Sequence, residues 1–207
     1  MDFEEKRDQL VKRLETHRDL GDRTLDAIRA VPRHEFVPES KQSAAYNDTP
    51  LPIGEGQTIS APHIVAIMAE LLELTPGDQV LEIGTGCGYH AAVTAELVGP
   101  EHVYSVEYNT SLAERARETL ERTGYGEVSV RAGDGREGWS ECAPYDRSYL
   151  TCAGDTVPEP VRKQVRTGGI VLAPLRNGGQ HLVKGVVRSD GTLQRESQGR
   201  VRFVPLK

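Results

Sequence analysis

Long apolar runs are missing from this 207-residue sequence. None approaches the roughly 20 residues that cross a bilayer. The N-terminus, Met1-Asp2-Phe3-Glu4-Glu5-Lys6, is charged and lacks the apolar core of a signal peptide. No membrane partner is expected, and the protein is expected in the cytoplasm. Cysteine is scarce as well. Cys87, Cys142 and Cys152 lack paired spacing, so they make neither a disulfide framework nor a zinc site. No metal ligand set is expected. Positive charge is outweighed: the formal net charge is -6 and the isoelectric point is near 5.6. That balance argues against a nucleic-acid partner, which would favour a basic face. Internal repeats and low-complexity segments are absent. What is present is enough apolar content, 37 %, for one domain of ordinary to large size spanning residues 1–207.

The periodicity predicts two N-terminal helices, from residue 2 to about 18 and over 24–30, the second ending before Pro32. Residues 42–61 carry many turn formers and read as a long loop, which in a compact domain is usually functional or disordered. His34, just before it, is expected to be a surface residue without a role. A helix follows from Pro62 to about residue 74, with Ser60 or Ala61 near its cap. Beyond Gly77 short strands alternate with helices. Strands are expected over 79–83, 102–106, 127–131, 145–151 and 169–174, with helices over 89–98, 111–123 and 157–165. This alternation implies a doubly wound, mostly parallel α/β sheet. The tail changes character: 180–188 and 193–205 alternate like strands and predict an antiparallel addition to the sheet edge. The chain thus divides into N-terminal helices and loop (1–75), a core (76–175) and C-terminal strands (176–207).

The first strand runs into Glu82-Ile83-Gly84-Thr85-Gly86-Cys87-Gly88-Tyr89-His90. An ordinary strand-to-helix turn needs one glycine; three at alternate positions suit a backbone that a ligand approaches closely. Free N–H groups at the following helix start face the same place. The spacing decides between ligands. A dinucleotide fingerprint puts its third glycine three positions after the second, where this chain has Tyr89. Glu82 would repel a pyrophosphate and attract a sulfonium. The pattern therefore favours S-adenosylmethionine over NAD. Cys87 is expected to fill space within the turn, and Tyr89 and His90 to be turn and helix-face residues.

Two further strand ends carry acids. Glu107 follows Gly88 by roughly the 20 residues expected of a carboxylate that bonds ribose hydroxyls. Asp134, in Gly133-Asp134-Gly135, could accept from an adenine amino group. Each acid alone reads as a solvated strand-end residue. All three on one sheet edge, where ligands of open α/β sheets bind, make a site.

The segments 31–38, 54–65, 80–92, 133–136, 168–174 and 201–205 resemble the protein-L-isoaspartate O-methyltransferases, a class I S-adenosylmethionine-dependent family. The resemblance implies a Rossmann-like methyltransferase sheet with an N-terminal helical cap. It implies that Gln57-Thr58-Ile59-Ser60-Ala61-Pro62-His63 closes over the cofactor and supplies the active-site serine at Ser60. On this reading the cofactor is held by Thr58, Ile59, Ser60, His63, Glu82, Gly84, Gly86, Gly88, Glu107, Asp134 and Gly135. The activity implied is repair. The α-carboxyl of L-isoaspartyl residues in damaged proteins or peptides is methylated by a monomeric enzyme, and the ester then collapses to a succinimide without help. A carboxylate is already ionised at neutral pH, so no general base is needed and none is evident near the glycine turn. Bare sequence favours Ser60 as a plain helix cap; the resemblance reverses that.

Arg147 and Ser148 depart from the family's pattern. They lie in the expected fourth strand, where buried polar groups need partners. Two alternatives stay open: another class I methyltransferase acting on a different carboxyl or a small molecule, and a catalytically silent cofactor-binding relative.

Overall fold

A computed structural model describes residues 2–16 and 20–207. The first helix, α1 (Phe3–Leu14), is closed by a capping box: Asp2 Oδ1 accepts from Glu5 N, and Glu5 Oε2 accepts from Asp2 N. It buries Leu10, Val11 and Leu14 and ends before the expected boundary, part of which lies outside the described residues. Helix α2 (Asp22–Ala30) buries Leu25, Ala27 and Ile28 and stops at Val31, which is extended before Pro32.

The stretch expected as an open loop contains structure. A 3-10 segment covers Glu39–Ala44, and β1 (Leu51–Gly54) pairs antiparallel with β2 (Gln57–Ile59). Gly54, Glu55 and Gly56 turn the hairpin, all with positive φ (92°, 52° and 70°). Leu51, Ile53 and Ile59 fasten it to the core. The strands are too short, and too rich in proline, for alternation to announce them. Helix α3 (Pro62–Leu71) follows with proline in its first turn.

The Rossmann-like sheet then builds from β3 (Val80–Ile83), α4 (Tyr89–Val98), β4 (Val103–Glu107), α5 (Thr110–Arg122), β5 (Ser129–Ala132) and β6 (Tyr145–Leu150). Helix α6 (Glu159–Lys163), shorter than expected, leads to β7 (Val165–Arg176). Strands β8 (Gln180–Val187) and β9 (Leu193–Arg200) complete the sheet. The spatial order is β5-β4-β3-β6-β7-β8-β9, parallel through β7 and antiparallel beyond it. Strand β3 has β4 on one side and β6 on the other, so the order reverses there. The crevice for a ligand opens beyond the carboxyl ends of these strands.

Two apolar clusters flank the sheet. One joins Val80 and Tyr149 to α1 through α5; the other joins Leu81, Ile83 and Tyr145 to Val161 of α6. None of the described helices is long and apolar enough to cross a membrane.

Strand β9 stops at Arg200, short of the expected residue 205. The chain bends as Gln180 takes Val201 N on its carbonyl and Phe203 N on its side chain. It then runs alongside the end of β6: Ala153 N donates to Val204 O (2.8 Å) and Leu206 N to Ala153 O (2.9 Å). The C-terminal residues thereby reach the top of the sheet.

The structure accounts for Arg147. Its Nε donates to Leu72 O (2.7 Å) and its Nη2 to Glu73 O (3.3 Å), so it satisfies carbonyls left open at the end of α3. Arg147→Met should lower stability by about 1–3 kcal/mol, the cost of leaving such groups unpaired, as measured by urea denaturation. Nothing in the structure explains Ser148, whose buried Oγ has no partner.

Candidate functional site

The glycine turn opens the site. Gly84, Gly86 and Gly88 have φ of +98°, +57° and +89°, a region that favours glycine. A Cβ on Gly84 would collide with the Thr151 hydroxyl, which donates to Gly84 O. Gly88 caps α4 and packs close to Leu120 of α5. Glu107, at the end of β4, fastens the turn. Its Oε2 accepts from Gly86 N and its Oε1 from Asn109 N, both at 2.9 Å. A carboxylate has about four lone-pair sites, so two remain for a ligand.

Above the turn lies a cavity. Its floor is Ile83 to Cys87 with Tyr89 and His90, and one wall is Val106 to Asn109. Gln57 to Ser60 of the hairpin and Val204 to Lys207 of the tail cover it, and Thr151, Cys152 and Gly135 complete the lining. Of the expected cofactor residues, Thr58, Ile59, Ser60, Gly84, Gly86, Glu107 and Gly135 come together on this surface.

Four others are placed differently. Gly88 sits at the helix cap, below the lining. His63 faces an adjoining cleft and bonds Asp48, which accepts from both its backbone N (2.9 Å) and its Nδ1 (2.8 Å). That His–Asp pair was not apparent in the sequence. Asp134 is clasped by Arg136 through Nε and Nη2, which holds its carboxyl below the usual range. Glu82 is wholly buried behind the turn. The Ser105 and Tyr149 hydroxyls donate to it, with Thr85 and Thr94 bonded behind them.

Burial pushes the Glu82 carboxyl up to about 8, against those hydroxyl donors. Because the folded value exceeds the unfolded one, near 4.5, its stabilising effect is complete below 4.5 and is lost as pH rises to about 8. Glu82→Gln should therefore gain melting temperature relative to the parent chain across that window and no further above it. Melting curves at stepped pH check this.

Ser60 is free of the capping duty that bare sequence favoured. The cap of α3 is Ala61, and no side chain bonds there. Its backbone is held from beneath. The fully buried Arg33 donates from Nη2 to Ser60 O (2.7 Å) and from Nε to Ala45 O (2.9 Å), with its guanidinium carbon 4.7 Å from the Tyr89 ring centroid. Ser60, Thr58, Thr151 and Val204 line both the cavity and the adjoining cleft. The cleft is completed by His63, Arg200, Arg202 and Phe203, among others.

The sequence model of the protein-L-isoaspartate(D-aspartate) O-methyltransferases matches residues 5–207. The chain belongs to this family. Protein-L-isoaspartate O-methyltransferase 2 of Archaeoglobus fulgidus is 52 % identical over 210 residues, covering 100 % of the chain and 95 % of the relative. The Ignicoccus hospitalis protein-L-isoaspartate O-methyltransferase is 49 % identical, covering 99 % and 98 %. A solved protein-L-isoaspartate O-methyltransferase superposes with a TM-score of 0.88 at 32 % identity; the match covers 96 % of this chain and 65 % of that one. A Plasmodium falciparum structure in complex with S-adenosyl-L-homocysteine has the same fold, with a TM-score of 0.84 at 21 % identity and coverage of 97 % and 98 %.

Several residues of this methyltransferase's cavity escaped sequence reading. Tyr108, exposed at 58 %, and Asn109 line it directly after Glu107. Their place after an acidic strand end was the available signal. Val204 to Lys207 had only the resemblance over 201–205 to mark them. His34 is no bare surface residue: it stacks on Phe3 (4.1 Å between centroids) and bonds the Tyr46 hydroxyl. Trp139 packs edge-on to Tyr104.

Proposed function

We propose that this chain methylates the α-carboxyl of L-isoaspartyl residues in damaged proteins and peptides, using S-adenosylmethionine held in the cavity over the glycine turn. One observation carries the reading. Ser60, with its hydroxyl free of capping, stands on the border shared by the cavity and the adjoining cleft. A donor on one side and a peptide on the other would meet beside it.

The residues fit the donor. The glycines leave room for close approach, and Glu107 offers its unused lone pairs to ribose hydroxyls. When bound, S-adenosylmethionine supplies a methyl carried on sulfonium, which passes to the carboxylate oxygen as the carbon–sulfur bond pair returns to sulfur. Ser60 holds the acceptor carboxylate in line through a hydrogen bond and takes no part as nucleophile. Positioning of this kind supplies much of the acceleration. Thr58, Ile59 and the tail exclude water from a step in which two opposite charges cancel, which favours that step. Arg33 fixes the height of Ser60 over Tyr89, and Asp48 with His63 fixes the start of α3. On this reading the chain acts as a monomer on proteins of the cytoplasm.

With S-adenosyl-L-homocysteine present, an isoaspartyl peptide should bind one per chain by calorimetry, and its aspartyl twin should bind much more weakly. Equal binding of the two would contradict the reading.

A further inference from the structure

Charge is spread unevenly along this chain. Residues 176–207 hold five arginines and two lysines against two acids, in a protein of net charge -6. Arg176 and Lys184 pair with Asp155 and Glu73. Arg200 and Arg202 are exposed and have no carboxylate partner among the described residues. Both line the cleft beside Ser60. Gln180 fixes the backbone there: its carbonyl accepts from Val201 N (3.0 Å) and its Oε1 from Phe203 N (2.6 Å). Val201 and Phe203 pack against the larger apolar cluster, while the arginines on either side of Val201 stay in solvent. Among the described residues that line the cleft there is no aspartate or glutamate. Asp48, bonded to the cleft residue His63, already accepts from two His63 donors. An anion entering the cleft therefore meets arginine and no competing acid on its walls.

We propose that this cleft selects isoaspartyl residues set among other acidic residues, with Arg200 and Arg202 receiving the flanking carboxylates. The inference rests on the function above, in which the peptide lies in the cleft and its isoaspartyl carboxylate reaches Ser60. A guanidinium matches a carboxylate with two parallel hydrogen bonds and stays charged wherever carboxylates are ionised. It is also more weakly hydrated than an ammonium, so a carboxylate displaces its water more readily. Exposed pairs of this kind each contribute modestly. The arginines therefore set the order of preference among peptides, and the methyl step itself stays with Ser60 and the donor. A cleft lined by one sign of charge also raises the local concentration of the opposite sign. The effect falls on KM, because flanking side chains touch none of the reacting atoms.

Three peptides test it, each with one isoaspartyl residue flanked on both sides by Glu, by its isostere Gln, or by Lys. With the parent chain at about 0.1 M salt, kcat/KM for the Glu peptide should exceed that for the Gln peptide by about threefold to tenfold, and the Lys peptide should fall below both. The difference should lie in KM. At about 1 M salt, where screening acts within a few ångströms, the Glu-to-Gln ratio should approach one. The double variant Arg200→Gln with Arg202→Gln should bring that ratio to within about twofold of one at low salt. A merely structural role would lower all three peptides by the same factor and keep the ratio. Equal kcat/KM for Glu and Gln peptides in the parent, a preference undiminished at about 1 M salt, or a ratio retained in the double variant would overturn the proposal. Should the double variant fail to fold, the salt series on the parent chain and the ratio in Arg202→Gln decide. If no isoaspartyl peptide is methylated, the functional reading falls and this proposal with it; if all three are methylated alike, only this proposal falls.

Discussion

Ser60→Ala lowers turnover on an isoaspartyl peptide by about 100-fold, the scale expected when a reacting group loses its positioning, while affinity for S-adenosyl-L-homocysteine stays within about twofold. The split follows from where Ser60 stands. Its backbone is anchored by Arg33 through Ser60 O, an interaction that alanine keeps. Its hydroxyl has no capping role, so its removal does not loosen α3. What is lost is the bond to the acceptor. The burden therefore falls on kcat, with Ser60→Thr restoring part of the rate if the added methyl fits. Near-normal turnover in Ser60→Ala would remove the serine from the reaction. A large fall in cofactor affinity would make it a cavity wall only.

The second large effect is at Glu107. Glu107→Ala weakens S-adenosyl-L-homocysteine binding by roughly 100-fold or more, since hydrogen bonds to a charged group are worth about 1.5–3 kcal/mol each and two to the ribose are lost. The same substitution also frees Gly86 N and Asn109 N, both now held at 2.9 Å. Melting temperature should fall as well, and affinity should be measured where the variant is folded. Unchanged affinity would mean that Glu107 serves the turn alone and the ribose lies elsewhere.

Much of this was legible in the chain. Helix α4 falls at Tyr89–Val98, where periodicity puts it, because glycines mark one end and Gly99 the other. Glu107 is found from spacing alone, because βαβ units impose a nearly constant distance between one strand end and the next. The hairpin is the counterexample. Its strands hold four and three residues, and turn formers outvote the apolar positions Leu51, Ile53 and Ile59. Arg147 was opaque because its partners, Leu72 O and Glu73 O, lie more than 70 residues away in sequence. Glu82 is the subtler case. Its position beside the glycines suggested direct contact with a cation, whereas the alternation of β3 turns it behind the turn, into a hydroxyl network that only the fold assembles. Its oxygens are already engaged, and burial pushes the carboxyl up to about 8, so it brings little negative charge to the donor at neutral pH. The tail at residues 204–207 covers the cavity through backbone bonds to Ala153, which no local pattern encodes.

The central proposal is that an anionic peptide carboxylate meets a cationic methyl group at Ser60. The most direct measurement uses labelled S-adenosylmethionine and two peptides that differ only in carrying aspartate or isoaspartate at one site. Base-labile label should enter the isoaspartyl peptide alone. Label in neither peptide, or equal label in both, would contradict it.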